Sequence, residues 1–273
     1  MKKLTYGVFS LLMIAFISCA KEDTEPVVSA SNGNSTNNSK ISARLSDNPY
    51  EKYGIRHNQF LDAFAVQGNL AILTRKQRYD LAAQILQDRN PNHVTSWQKL
   101  NQQIGYGNSL NPNNGANKLI NDGLITENTR TSVTKLLELI ERVDKQNKKK
   151  LVTPSEFSLL VEEVENFIYA NSEVLYNEKT EQGNDAASLL GACSVARYSY
   201  QYWYDVSFDV NHNWYSVFIN NNGNGNGNNA NARRPGWLKR TWNDIKAFVS
   251  DLGCGNVDLN CQWENASEVS AGV

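Results

Sequence analysis

The chain has no excess charge of either sign, with 27 basic side chains against 28 acidic ones in 273 residues. A nucleic-acid binder would carry a basic face or stripe, so the balance argues against that partner. Past the N-terminus no stretch approaches about 18 consecutive apolar residues, the length a membrane-spanning helix needs.

The usual constellations of chemistry are missing as well. His57, His93 and His212 share no ligand spacing and no Cys-x-x-Cys pair occurs, so no metal site is expected. No Gly-x-Ser-x-Gly turn is present. The glycines Gly223, Gly225 and Gly227 alternate with Asn instead of cradling a phosphate ahead of a helix. Glu162, Glu163 and Glu165 read as the solvated face of a helix. No cofactor and no catalytic residue is assigned, and a non-catalytic role is expected over an enzymatic one.

What is present begins with Lys2 and Lys3, followed by an apolar run from Leu4 to Ile17 that stops at Ser18-Cys19. The run is too short to remain as a membrane helix, so residues 1–18 read as a cleaved export signal. Its removal leaves 25 basic against 28 acidic residues, too small a bias to steer a charged partner. A small residue followed by Cys after the apolar run resembles a bacterial lipobox, with Phe16 where Leu is usual. That resemblance implies a palmitoylated Cys19 as the first mature residue. Lys21, Glu22 and Asp23 resemble the signal that sends lipoproteins of the Bacteroidota to the outer face of the outer membrane. The implied partner is a membrane, reached through the lipid anchor.

Residues 19–47 are polar and low in complexity, with Ser29 to Ser39 at their centre, and read as a tether. From 48 to 270 the pattern is mostly α, a multi-helix bundle. Apolar spacing marks helices through Tyr53, Phe60 and Phe64; through Tyr79, Ala82 and Leu86; and through Trp97, Leu100 and Ile104. Gly105 to Gly115 reads as a loop. Thr126 is the expected cap of a helix carrying Val133, Leu136, Ile140 and Val143. Thr153-Pro154-Ser155-Glu156 is a capping box opening its antiparallel partner. The small-residue stretch from Ala186 to Ala196 reads as a helix packed on several sides. A small β element is placed near 199–218, a mobile Asn/Gly loop at 220–232, and a last amphipathic helix at Trp237 to Leu252.

Three residue sets stand out. Cys193, Cys254 and Cys261 offer a disulfide between two of them, either a short local loop or a bridge through Cys193. Cys193 with a histidine base would be a cysteine-dependent hydrolase, a reading with no local motif behind it. The run from Tyr198 to Trp214 alternates too tightly for one helical face, so some rings must point outward. Tyr200, Tyr202, Trp203 and Trp214 are the candidates for binding an external protein or glycan, with core packing the alternative. A membrane-active, toxin-like C-terminal region is a further reading, which requires exposed Trp237, Trp242 and Phe248.

The stretch from Asn48 to Asp62 resembles an opening pattern, Asn-Pro-Tyr, Gly, His-Asn, Leu-Asp, found in secreted or surface proteins of the Bacteroidota, surface lipoproteins among them, and of some Gram-positive bacteria. Those proteins carry no assigned activity, so the resemblance implies a location and leaves His57, Asn58 and Asp62 without a chemical role. Bonding to a neighbouring helix is the expectation for His57 and Asn58.

Overall fold

The fold is mostly α, ten helices and one two-residue hairpin among the described residues. The computed structural model describes residues 48–93, 96–221, 230–250 and 257–272, with the side chains of 218–237 and of 272 excepted. In chain order the helices are α1 (Glu51–Ala65), α2 (Arg75–Arg89), α3 (Trp97–Ser109), α4 (Gly115–Asn121), α5 (Arg130–Asn147), α6 (Pro154–Asn171), α7 (Asp185–Phe208), α8 (Asn213–Asn221), α9 (Ala230–Val249) and α10 (Leu259–Gly272). The strands β1 (Tyr176–Asn177) and β2 (Gln182–Gly183) pair antiparallel between α6 and α7.

Helix α7 is the hub, packed against α9, α1 and α6. Its first three turns are buried all round, from Ala186 to Ala196, because small side chains let three neighbours approach at once. Asn184 starts it by accepting the Ala187 N–H at 3.1 Å. Two glycines set the distances. A Cβ on Gly54 of α1 would lie 2.6 Å from the Ser194 carbonyl oxygen, and one on Gly191 would lie 2.7 Å from the Phe248 ring.

The capping box at Thr153 is formed, with Pro154 in the first turn, and α5 packs against α6 as the helical partner. Other expectations are corrected. Thr126 does not cap α5; its hydroxyl donates to Asp185 at 2.6 Å, and it precedes a 3-10 turn at Glu127–Thr129 that leads into the helix. Part of the expected loop at 105–115 is helical, since α3 continues to Ser109. The β element is not at 199–218, where α7 runs on to Phe208 and α8 follows. Tyrosine and tryptophan have β propensity there, but burial on a hub helix overrides it. The hairpin forms instead at 176–183, where Glu181 adopts a left-handed φ of 54°. Its backbone bonds to the entry of α10, Leu259 N to Glu181 O at 2.9 Å and Gly183 N to Val257 O at 3.2 Å.

Helix α10 was not anticipated. From Gln262 to Ala271 it is buried on every side although six of these ten residues are polar, so it has no apolar stripe to detect. It packs on α9, α1 and α2.

One substitution made at two sites separates close packing from helix propensity. Gly54→Ala is expected to destabilise the fold by about 1–3 kcal/mol, because the added methyl meets backbone that cannot move. Gly105→Ala, in open space on α3, is expected to stabilise it by about 0.5–1 kcal/mol. Urea unfolding midpoints of opposite sign are the expected result; the same sign for both would refute the close-approach account.

Candidate binding site

The residues of the opening pattern form the docking face of α1. Asn48 accepts the Tyr50 N–H at 2.9 Å and donates to Glu165 at 2.7 Å. Gly54 N–H donates to Ser194 Oγ at 3.1 Å, and Asn58 donates to the Tyr198 carbonyl at 2.9 Å. His57 is fully buried, with Nε2 3.2 Å from Ser270 Oγ and 3.6 Å from Asp244 Oδ2. Asp62, by contrast, is exposed on the same helix.

Histidine, serine and aspartate here do not form a hydrolytic triad. The Ser270 hydroxyl donates to Asp244 Oδ1, so its proton faces the carboxylate and not the imidazole. Asp244 also lies on the Nε2 side of His57, whereas the orienting acid of a triad holds Nδ1. Asp244 accepts further from Ser199 Oγ at 2.6 Å and Trp203 Nε1 at 3.1 Å. Burial raises its pKa, against the opposing effect of His57 and these donors. With no exposed surface, the cluster can reach no substrate.

Two more buried charge clusters appear. Arg197 of α7 forms ion pairs with both Glu51 and Glu165. Glu165 is therefore core and not solvated face, as its spacing had implied, because a buried guanidinium needs a carboxylate there. Burial, partly offset by Arg197, pushes the Glu51 carboxyl up to about 7. His93 bridges two acids of α10, Nδ1 to Glu264 at 2.7 Å and Nε2 to Glu268 at 2.9 Å. Burial alone would lower its pKa, but the two carboxylates prevail and hold it at about 9. The signal for this pair was the i, i+4 spacing of Glu264 and Glu268, which lay on a helix that was not expected.

The candidate binding aromatics are core. Tyr200, Trp203 and Trp214 are fully buried and Tyr202 is 9% exposed. Tyr200 stacks on Phe157 at 4.0 Å and its hydroxyl donates to the Val152 carbonyl. The Arg240 guanidinium sits 5.0 Å from the Trp203 ring and 5.1 Å from that of Trp214. Packing on three sides leaves α7 a narrow solvent stripe that runs from the half-buried Arg197 and Tyr198 to Gln201, Tyr204, Asp205 and Phe208. At the C-terminal end of this stripe the outward rings are Tyr204 and Phe208, centroids 5.0 Å apart, with Phe208 48% exposed. With Asp205 and Asp209 they line a shallow pocket of about 380 Å³. Asp205 accepts from Gln201 at 2.6 Å, and neither carboxylate has an ion-pair partner among the described residues.

Trp242 and Phe248, two of the residues a membrane-active region would have to expose, are buried, while Trp237 lies outside the described side chains. Cys193 is a free, fully buried thiol whose pKa burial pushes well up, so it makes no bridge and is a poor nucleophile. Cys261 is disulfide-bonded, to a partner outside the described residues. Cys19, Lys21, Glu22, Asp23 and Cys254 lie outside the described residues. Among the described residues no group of His, Cys, Asp and Glu is arranged to hold a metal ion, and no helix is long and apolar enough to cross a membrane. Comparison with protein-family models, curated proteins and solved structures finds no match to this chain.

The His93 bridge makes stability depend on pH in a defined window. Its folded pKa of about 9 lies above the unfolded value of 6.5, so its contribution is complete below pH 6.5 and is lost as pH rises through 9. Urea unfolding is expected to show a fall of about 2–3 kcal/mol between those limits. His93→Gln should lose about 3 kcal/mol at pH 6 and flatten the profile above it. Glu51 acts in a lower window, from 4.5 to about 7, and leaves the difference between wild type and variant intact. Equal slopes for the two proteins between pH 6.5 and 9 would show that the bridge is uncharged.

Proposed function

We propose that the chain is a surface-exposed bacterial lipoprotein, anchored through Cys19 and exported by the Lys21-Glu22-Asp23 signal, whose helical unit is a non-catalytic module that binds an external glycan. The observation that carries the binding role is the outward stripe of α7. Two neighbouring rings, Tyr204 and Phe208, border a pocket of about 380 Å³ together with two carboxylates that have no cationic partner among the described residues. Flat apolar rings stack on the C–H face of a sugar, and carboxylates accept its hydroxyls, so this pairing of groups suits a glycan.

The non-catalytic part of the reading rests on where the reactive side chains stand. Cys193, His57 and His93 are buried, and both histidines are hydrogen-bonded within the core. The toxin-like alternative is disfavoured by the burial of Trp242 and Phe248, which close the bundle. A disulfide between Cys254 and Cys261 is the pairing consistent with a free Cys193 and an oxidised Cys261.

Protease shaving of intact cells is expected to remove the helical unit, and Cys19→Ala is expected to release it as soluble protein. Resistance until the outer membrane is broken would place it in the periplasm and end the external-ligand reading. On an array of surface polysaccharides and host glycans, the soluble protein should bind a defined set. Phe208→Ala and Asp205→Asn should each weaken that binding about tenfold or more, with the circular dichroism spectrum unchanged. Glycan binding indifferent to both substitutions would move the site elsewhere, and retention of a protein instead would change the ligand class.

A further inference from the structure

We propose that the groove formed by the last turn of α5, the connection at 148–153 and the first turns of α6 binds a single-chain anionic amphiphile, an alkyl body with one carboxylate or sulfate head. It shares no lining residue with the pocket on α7 and does not depend on the glycan reading. Its volume is about 460 Å³, within the range of small-molecule sites.

Apolar side chains form its walls: Leu151, Val152, Leu159 and Leu160. Leu159 is 53% exposed, close to Glu156, Glu162 and Glu163 on an otherwise polar side of α6. Covering it with an alkyl chain recovers transfer free energy that the folded chain alone leaves unused.

The groove is also held in shape before any ligand arrives. Asn147 Oδ1 accepts the Val152 N–H at 2.8 Å, and the Tyr200 hydroxyl donates to the Val152 carbonyl at 2.9 Å. The Thr153 capping box fixes the far side. A connection pinned at both ends has little conformational entropy left to lose on binding.

Charge at the rim selects the head group. Glu156 accepts the Thr153 N–H at 2.7 Å and meets Lys150 at 3.2 Å, and Glu163 meets Arg142 at 3.1 Å. Both acids of the groove are therefore engaged. Lys149 also lines it and forms no ion pair among the described residues. The unneutralised charge at the mouth is one ammonium, which an anionic head complements and a cationic head opposes.

The test uses the full mature chain made soluble by Cys19→Ala, titrated calorimetrically with monomeric dodecanoate, dodecanol and dodecylammonium. Dodecanoate is expected to bind saturably at one site, at least tenfold more tightly than dodecylammonium. Lys149→Glu should abolish that preference and Lys149→Arg should keep it. Leu159→Asp should weaken dodecanoate at least tenfold, while Phe208→Ala, which lines the pocket on α7 and not the groove, should leave dodecanoate binding unchanged. Because Leu159 and Lys149 are both exposed, circular dichroism is expected to stay unchanged in these variants. Equal binding of the three head groups, an undiminished preference in Lys149→Glu, or no saturable binding of dodecanoate would overturn the proposal.

Discussion

Charge buried in a helical core is the constraint from which the rest of this structure follows. Asp244 has no exposed surface, and an uncompensated buried carboxylate costs several kcal/mol. Its compensation comes from three other helices at once: His57 of α1, Ser199 and Trp203 of α7 and Ser270 of α10 surround a carboxylate of α9. None of these helices can slide or rotate without leaving the carboxylate short of a donor. Apolar packing alone tolerates small shifts; a satisfied polar cluster fixes one register.

The same constraint explains two features that look unrelated in the sequence. The opening pattern of α1 supplies groups that other helices require. Asn48 serves Glu165, Glu51 serves Arg197, Gly54 lets α7 come close, and His57 reaches the Asp244 cluster. Helix α10, in turn, can be buried although polar because nearly every polar group on it has a set partner. Gln262 accepts from Ser188, Glu264 and Glu268 flank His93, and the Ser270 carbonyl accepts from Arg240.

The fold class was legible because most helices carry an apolar stripe or a capping signal that acts locally, as Thr153 to Glu156 does at the start of α6. α10 was illegible because its pattern is set by partners far away in sequence, such as His93 for Glu264, 171 residues apart. The same holds for Glu165, whose spacing places it among solvated acids and whose guanidinium partner lies one helix onward. In the aromatic run some rings do face outward, and which ones depends on how many helices surround α7. With three, the last turns of the solvent stripe hold Gln201, Tyr204, Asp205 and Phe208, while Tyr200, Tyr202, Trp203 and Trp214 close inward.

This division has a consequence for locating function in the chain. Two of the three histidines, the buried acids, most of the tryptophans and the free cysteine are the residues that announce chemistry, and here the core has engaged them. A side chain whose hydrogen bonds and charges are already satisfied by neighbours gains little from a ligand and would have to break something to bind one. Groups left with unspent capacity are plainer: Phe208 and Leu159 with apolar surface in water, and Asp205, Asp209 and Lys149 with no ion-pair partner among the described residues. Recognition requires such a surplus, because only interactions not already made within the chain can contribute to affinity. The binding faces of this bundle are therefore to be sought where its internal pairing stops.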